Sequence, residues 1–168
     1  MNIGIIGAGG VGGYLGGMLA QAGHRVILIA RGAHLEAIKR DGLNVIHRKG
    51  EFTVPIEAKD NGYGVEVMDL VLFTVKTYDT NEAVRKIGSM VGNQTCVVTL
   101  QNGVENHDII ARSIGEKFVI PGSIYVETRI VLPGVIKQSG EVVRVVLGEL
   151  DGSITDRVMN IQFTIERS

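Results

Sequence analysis

The sequence has little of several residue types that define whole classes of protein: one cysteine, three prolines and no tryptophan among 168 residues. The single cysteine, Cys96, excludes an internal disulfide framework and a cysteine-rich zinc site. An excess of charge of one sign is also missing, since 17 basic side chains face 18 acidic ones. This near-balance gives no support to bulk binding of nucleic acid, and we predict no nucleic-acid partner.

Histidine is sparse as well, and the four histidines do not have the spacing of metal ligands along the chain. We therefore predict no metal site and no catalytic histidine. We assign all four to polar surface positions: His24, His34, His47 and His107.

A long uninterrupted apolar segment is absent too. The first 23 residues carry no charge, but glycine interrupts every apolar run among them. A membrane span needs about 20 mostly apolar residues, and a signal peptide begins with basic residues, which Met1 and Asn2 do not provide. We predict no membrane segment, no targeting segment and a cytoplasmic protein.

Glycine, in contrast, is abundant, and its excess is local. The sequence has 23 glycines, and nine of them fall within the first 23 residues. Several lie in residues 11–22, whose apolar spacing otherwise predicts a helix, and each costs about 1 kcal/mol of helix propensity relative to alanine. Such a cost indicates that another group approaches this backbone closely.

The alternation of apolar and amphipathic segments predicts the fold class. Buried strands are predicted at residues 2–6, 26–30, 70–75, 95–100 and 118–120. Helices are predicted at residues 11–22, 34–40, 80–90 and 104–113. Strands that alternate with helices indicate an α/β fold with a doubly wound, Rossmann-like parallel sheet.

Outside this alternation the sequence predicts antiparallel pairs. Residues 43–47 and 51–54 flank a short turn and predict a hairpin. After Pro121 there is no room for helices between strands, and an antiparallel extension at one edge of the sheet is predicted. Its strand-like segments are residues 124–130, 134–138 and 142–147. Thr155 is placed to cap a final helix that runs to Ser168.

The glycine-rich start matches a dinucleotide-binding fingerprint. Residues 7–12 (GAGGVG) fit the pattern G-x-G-x-x-G between a predicted strand and a predicted helix. The first glycine allows a tight turn, the second lets a pyrophosphate reach the backbone, and the third lets helix and strand pack closely. The phosphates would then lie on the helix N-terminus, which favours negative charge. The alternative is a glycine-rich turn without a ligand. The predicted cofactor-binding residues here are Gly7, Ala8, Gly9, Gly10, Val11 and Gly12.

The end of the second predicted strand bears on which cofactor is bound. Sites that prefer NAD usually have an acidic residue about 20 residues after the fingerprint, but this sequence has Ala30 followed by Arg31. An arginine can bind a 2′-phosphate with two charge-assisted hydrogen bonds. Residues 1–50, with six basic and two acidic side chains, also suit an anionic ligand. We predict NADP(H) rather than NAD(H); the alternative is that Arg31 is an ordinary surface residue.

Two further polar residues follow strands of the predicted sheet. Lys76 comes after residues 70–75, and Asn102 comes after residues 95–100. Ligands of doubly wound sheets bind at the carboxyl ends of the strands. A lysine there can meet a carboxylate or phosphate, and an asparagine amide can both donate and accept. Both residues are predicted to contact the cofactor, and Asn102 also the substrate, with an ordinary loop role as the alternative.

The motifs together resemble one enzyme family. They are residues 5–14 (IIGAGGVGGY), 30–32 (ARG), 75–80 (VKTYDT), 99–104 (TLQNGV), 133–136 (PGVI) and 147–149 (LGE). In this order they look like ketopantoate reductase, also called 2-dehydropantoate 2-reductase. The resemblance implies NADPH-dependent reduction of ketopantoate, a small 2-oxo acid, to pantoate for coenzyme A synthesis. It also implies a cytoplasmic enzyme that is often a homodimer.

The sequence departs from this family in its length. Family members continue into a helical second domain, which supplies the lysine that protonates the developing alkoxide. Nothing in residues 155–168 matches the motif of that lysine, so no catalytic residue is assigned here. We expect residues 1–150 to form an NADP-binding Rossmann domain and residues 151–168 to begin a truncated helical substrate domain. The alternatives are a non-catalytic NADP(H)-binding module or sensor and a reductase for another 2-oxo acid.

Overall fold

The computed structural model describes residues 1–103 and 105–168. The helix predicted for residues 104–113 is observed from Glu105, and its predicted first residue, Val104, lies outside the described residues. The strands are β1 Asn2–Ile6, β2 Arg25–Ile29, β3 Leu43–His47, β4 Gly50–Val54, β5 Glu57–Lys59, β6 Leu70–Phe73, β7 Cys96–Thr99, β8 Val119–Leu132 and β9 Val135–Leu147. The helices are α1 Gly10–Gln21, α2 Gly32–Asp41, α3 Thr80–Arg85, α4 Glu105–Ile114 and α5 Asp156–Glu166.

Within residues 1–103 and 105–168, nine strands form one sheet in the order β4-β3-β9-β8-β7-β6-β1-β2-β5. Six strands that are adjacent in the sheet, β5, β2, β1, β6, β7 and β8, are parallel to one another. Next to them, β8 pairs with β9 in an antiparallel ladder. From β1 the chain passes to β2 and then forms the β3–β4 hairpin at the opposite edge of the sheet. It next adds β5 beside β2 and returns to β6 on the other side of β1. This reversal places a ligand crevice at the carboxyl ends of β1 and β6. The predicted doubly wound sheet with an antiparallel extension is confirmed.

Helices cover both faces of the parallel strands, which explains why those strands are apolar on both sides. Consecutive residues of β1 point to opposite faces: Ile5 belongs to the core under α1 and α5, and Ile6 to the core under α3 and α4. The predicted N-cap of α5 is confirmed, since the Thr155 hydroxyl accepts a hydrogen bond from the N–H of Val158 at 3.4 Å. Val158 itself is buried in the first core.

The glycines of α1 are explained largely by packing against the sheet. A Cβ added at Gly16 would lie 2.6 Å from Leu28 of β2, and one at Gly12 would lie 2.9 Å from Ile5 of β1. Gly12 and Gly16 are one helical turn apart and therefore face the same side. On this side α1 approaches β1 and β2 too closely for any larger residue.

The neighbouring glycine pair of α1 faces a different part of the same sheet. A Cβ added at Gly13 would lie 2.8 Å from Ile136 of β9, and one at Gly17 would lie 2.5 Å from Val45 of β3. The sheet therefore curls around α1, with β1 and β2 on one side and β9 and β3 on the other. The close approach predicted for this backbone is mainly that of the protein's own strands.

Two predicted elements end earlier in the structure, and one short strand was not predicted. The helix predicted for residues 80–90 ends at Arg85, and a separate 3₁₀ turn spans Gly88–Met90. This break lets Ile87 and Met90 enter the core, where both are almost completely buried. The strand predicted for residues 70–75 ends at Phe73. The short edge strand β5 was not predicted, because only Ala58 of its three residues is buried.

The long hairpin was predicted as separate pieces. Pro121 does not end a strand: β8 runs through it, pairing with β7 up to Pro121 and with β9 from Gly122 onward. The missing N–H of proline is tolerated there because β8 changes partners at that point. The turn predicted between residues 138 and 142 is a register shift inside β9, opposite Val126 and Glu127.

Candidate cofactor site

A cleft of about 350 Å³ lies at the carboxyl ends of β1, β2 and β6. Most of the predicted cofactor-binding residues line it, although they are distant in sequence. The predicted residues in its lining are Gly7, Ala8, Gly9, Gly10, Val11, Arg31 and Lys76. Gly12 and Asn102 are not part of this lining.

The glycine loop is held in place by hydrogen bonds from both neighbouring strands. Gly7 has φ +100°, a conformation that favours glycine. The N–H groups of Gly7 and Ala8 both donate to the carbonyl of Ile29, at 3.1 and 2.9 Å. On the other side, the Thr74 hydroxyl donates to the Gly7 carbonyl at 2.8 Å. The sequence did not single out Thr74, which anchors the loop from the end of β6.

Gly9 is the point at which a ligand can approach the backbone. A Cβ built at Gly9 would have no atom within 4 Å, whereas one at Gly10 would lie 2.8 Å from the carbonyl oxygen of Thr128. Gly9 is the N-cap of α1 and supplies no side-chain cap, so the first N–H groups of the helix have no intrahelical partner. No acidic residue lies in the first turn. These features fit an anionic group such as a phosphate.

Gly12 does not line the cleft and has a packing role instead. A Cβ there would overlap the carbonyl oxygen of Gly7 and the hydroxyl of Thr74. The residue allows α1 to start directly against the end of β1, as the fingerprint predicts for its third glycine. It therefore shapes the cleft without lining it.

Arg31 stands at the cleft as the N-cap of α2, but it is not free. Its Nη2 lies 2.6 Å from Oδ2 of Asp79, and the side chain of Arg31 is 63% exposed against 24% for Asp79. Asp79 ends the 3₁₀ turn Thr77–Asp79 that follows β6. Asp79 belongs to the family motif of residues 75–80, but its place in the sequence predicted no role for it.

The other charged residues that line the cleft are of both signs. Lys86 pairs with Glu82 at 2.5 Å, and Asp60 adds a further carboxylate to the lining. In the part of the chain that the structure describes, Lys76 has no ion-pair partner and is exposed. The basic character predicted from residues 1–50 is thus offset by acidic residues from later in the chain. Of the cations that line the cleft, Lys76 is therefore the one without a carboxylate partner among the described residues.

Asn102 is exposed on the loop that follows β7. Its carbonyl accepts a hydrogen bond from Nδ2 of Asn106 at 2.8 Å. The preceding residue, Gln101, is buried and donates from Nε2 to the carbonyl of Val75 at 2.9 Å and to the Thr80 hydroxyl at 2.8 Å. These bonds join the loop that carries Asn102 to the loop that carries Lys76. The role of Gln101 was not predicted from the sequence, because it depends on the packing of two loops.

His34 lines the cleft, which corrects its predicted surface position. Its Nδ1 accepts a hydrogen bond from the N–H of Gly134 at 3.0 Å, so the β8–β9 turn holds the imidazole. Burial lowers the pKa of His34 below its ordinary value, which favours the neutral ring at pH 7. With Nδ1 as acceptor, the proton of the neutral ring lies on Nε2. His107 is also buried rather than on the surface.

Among the described residues, no group of three or more histidine, cysteine, aspartate or glutamate side chains is arranged to hold a metal ion. None of the helices in the described ranges is both long and apolar enough to cross a membrane.

Known proteins resemble this chain in both sequence and structure. The family model for ketopantoate reductase PanE/ApbA matches residues 3–152. A 2-dehydropantoate 2-reductase of Mesorhizobium japonicum is 34% identical over 179 residues, covering 94% of this chain and 55% of that protein. The enzyme of that name from Pyrococcus abyssi is 36% identical over 146 residues, covering 87% of this chain and 47% of that protein.

Among solved structures, 2-dehydropantoate 2-reductase from Geobacter metallireducens GS-15 superposes with a TM-score of 0.92 at 30% identity. The match covers 99% of this chain and 55% of that one. This chain spans about half the length of the curated relatives it matches. Since the family model extends over the glycine loop, the crevice strands and the long hairpin alike, the chain belongs to the ketopantoate reductase PanE/ApbA family.

Proposed function

We propose that this chain is the cofactor-binding part of an NADPH-dependent 2-dehydropantoate 2-reductase, which reduces ketopantoate to pantoate. The observation that carries the proposal is the open backbone at Gly9, at the start of a helix whose first turn lacks acidic residues. Membership of the ketopantoate reductase family supports the same conclusion. Residues 1–150 are the proposed Rossmann domain, and residues 151–168 begin the proposed substrate domain.

Each predicted residue has a proposed task in holding the dinucleotide. The loop of residues 7–11 would surround the pyrophosphate, with Gly12 keeping α1 close to β1. Because the N–H groups of Gly7 and Ala8 donate to Ile29, the N–H groups at the start of α1 would bind the phosphates. Arg31 would bind the 2′-phosphate, and this contact is the basis for proposing NADP(H) over NAD(H). Lys76 and Asn102 would contact the remainder of the cofactor, and Asn102 also the 2-oxo acid. When bound, the reduced nicotinamide supplies the hydride for the reaction.

The proton that completes the reduction needs a positioned acid. We assign this role to no residue of the chain, because the lysine implied by the family resemblance has no counterpart in residues 155–168. The chain itself binds and orients the cofactor. We expect it to bind NADPH and to leave ketopantoate unreduced when it is assayed alone.

Arginine replacement tests the cofactor assignment. Arg31→Ala removes the guanidinium proposed to bind the 2′-phosphate, so NADPH affinity should fall about 10- to 100-fold with little change for NADH. Nucleotide fluorescence titration of the 168-residue chain measures both affinities. Arg40→Ala is the matched control, since Arg40 pairs with its neighbour Asp41 and does not line the cleft. An equal loss for both nucleotides would refute the assignment of Arg31.

Turnover is tested with the same preparation. NADPH absorbance at 340 nm is followed with the chain and ketopantoate. We expect no oxidation above the rate without protein. Sustained, protein-dependent oxidation would show that the chain contains its own catalytic acid and would overturn this part of the proposal.

A further inference from the structure

The ion pair between Arg31 and Asp79 joins two loops at the edge of the cleft. Arg31 follows β2, and Asp79 lies in the turn that follows β6. Their side chains meet at 2.6 Å, and both residues line the cleft. The carboxylate of Asp79 is therefore already paired with the Arg31 guanidinium, which a bound 2′-phosphate would need as its partner.

The other acidic residues of the cleft are engaged differently. Glu82 pairs with Lys86, the C-cap of α3. The hydrogen bond from Lys86 lowers the pKa of Glu82, and the charge of Arg31 adds a smaller effect in the same direction. Asp60 has its Oδ1 bound by the amide of Asn61. Among the described residues that line the cleft, Asp79 is the carboxylate in contact with Arg31.

The side chain of Asp79 bonds to Arg31 rather than to the helix that follows it. Asp79 is the N-cap of α3, yet its side chain makes no capping hydrogen bond. Its hydrogen bond from Arg31 is the one side-chain bond recorded for it in the described part of the chain. Ion pairs at the protein surface in which one partner is largely exposed, as Arg31 is here, contribute little to stability.

We propose that Asp79 is a specificity-determining residue for the nucleotide, an inference that rests on the proposed cofactor function. Its carboxylate competes with the 2′-phosphate for Arg31 and repels the phosphate dianion. The same carboxylate can accept a hydrogen bond from the 2′-hydroxyl of NADH, as acidic residues do in NAD sites. Arg31 favours NADPH over NADH, and Asp79 reduces the ratio of these two affinities.

Neutralising Asp79 tests the proposal. Asp79→Asn keeps the shape of the side chain and removes its charge. NADPH affinity should rise about tenfold, while NADH affinity stays the same or falls, so the ratio of the two affinities rises by at least that factor. Both dissociation constants are measured by fluorescence titration of the full 168-residue chain. Asp79→Ser is made in parallel, and thermal unfolding verifies that each variant is folded.

Glu82→Gln is the matched control, because it removes the same charge from the same cleft. The carboxylate of Glu82 pairs with Lys86 and acts on Arg31 only through a weaker charge interaction, whereas Asp79 is in direct contact with the guanidinium. It should leave the ratio of the two affinities within about twofold of the wild-type value. A comparable rise of the ratio in Glu82→Gln would overturn the proposal, since the effect would then be one of net charge.

The remaining outcomes are equally decisive. If the wild-type chain binds both nucleotides and the Asp79 variants change both affinities by one common factor, the role of Asp79 in specificity is refuted and the cofactor function stands. A fall in NADPH affinity in Asp79→Asn refutes it as well. If the wild-type chain binds neither nucleotide, the proposed function itself fails.

Discussion

Gly9→Ala separates the ligand-binding role of the glycine loop from its structural role. Gly9 has φ −71° and ψ −163°, an extended conformation that alanine adopts readily. A Cβ there would meet no atom within 4 Å. The added methyl group therefore disturbs no contact of the protein and lies where an approaching phosphate would need bare backbone.

The expected effect on stability is small because two terms oppose each other. Alanine is a poorer N-cap residue than glycine by roughly 0.5–1 kcal/mol. Loss of glycine reduces the entropy of the unfolded chain, which stabilises the fold by about 0.4–1 kcal/mol. The free energy of unfolding should therefore stay within about 1 kcal/mol of wild type.

The expected effect on binding is larger. A charge-assisted hydrogen bond contributes about 1.5–3 kcal/mol, and a displaced phosphate loses at least one from the start of α1. This corresponds to a loss of about 10- to 100-fold in NADPH affinity. NADH should weaken by a similar factor, because both nucleotides share the pyrophosphate.

Gly12→Ala is the comparison variant. Its Cβ would overlap the carbonyl oxygen of Gly7, which is backbone and cannot move aside cheaply. We expect a destabilisation of about 3 kcal/mol or more, at the upper end of overpacking effects. Urea unfolding and fluorescence titration are run on both variants. If Gly9→Ala binds NADPH as wild type does, the glycine loop is not the pyrophosphate site and the reasoning fails.

Two further predictions concern stability. Gln101→Leu should lower the free energy of unfolding by about 1–3 kcal/mol, because it leaves the Val75 carbonyl without its hydrogen-bond donor. The control Gln21→Leu, at the exposed end of α1, should change the free energy of unfolding by less than about 0.5 kcal/mol. Urea unfolding measures both variants, and equal effects would contradict the role of Gln101 in joining the two loops. The hydrogen bonds from Arg157 lower the pKa of Glu149, so this pair stabilises the fold above the carboxyl's unfolded pKa and the contribution is lost as pH falls through the folded pKa. Glu149→Gln should therefore lower stability by on the order of 1 kcal/mol near pH 7 and flatten its decline below about pH 4.5; an unchanged acid limb in unfolding experiments would contradict this assignment.

Local patterns in the sequence predicted the elements whose residues carry their own signal. The apolar run of β1, the turn at Gly7 and the cap at Thr155 all appear where they were expected. The predictions were wrong where the local structure depends on contacts with residues that are far away in the sequence. A proline normally ends a strand, but β8 continues through Pro121 because its partner there changes from β7 to β9.

The candidate site shows the same division. The glycine loop was recognised because its spacing reflects the geometry of a single strand–turn–helix unit. Asp79 and His34 received no role in the cleft, since nothing near them in sequence indicates their partners. Asp79 meets Arg31 across 48 positions, and His34 meets the N–H of Gly134 across 100.

The sequence by itself determined that this is a doubly wound α/β protein with a glycine-rich turn of the pattern G-x-G-x-x-G near its start, since periodicity and glycine spacing are local properties. Only the tertiary structure decided why α1 holds so many glycines. Four of its five glycines lie in two pairs because the sheet curls around the helix, and each pair faces a different part of that sheet. Only the fold brought a carboxylate to Arg31, because the charge that opposes the guanidinium comes from a loop after another strand.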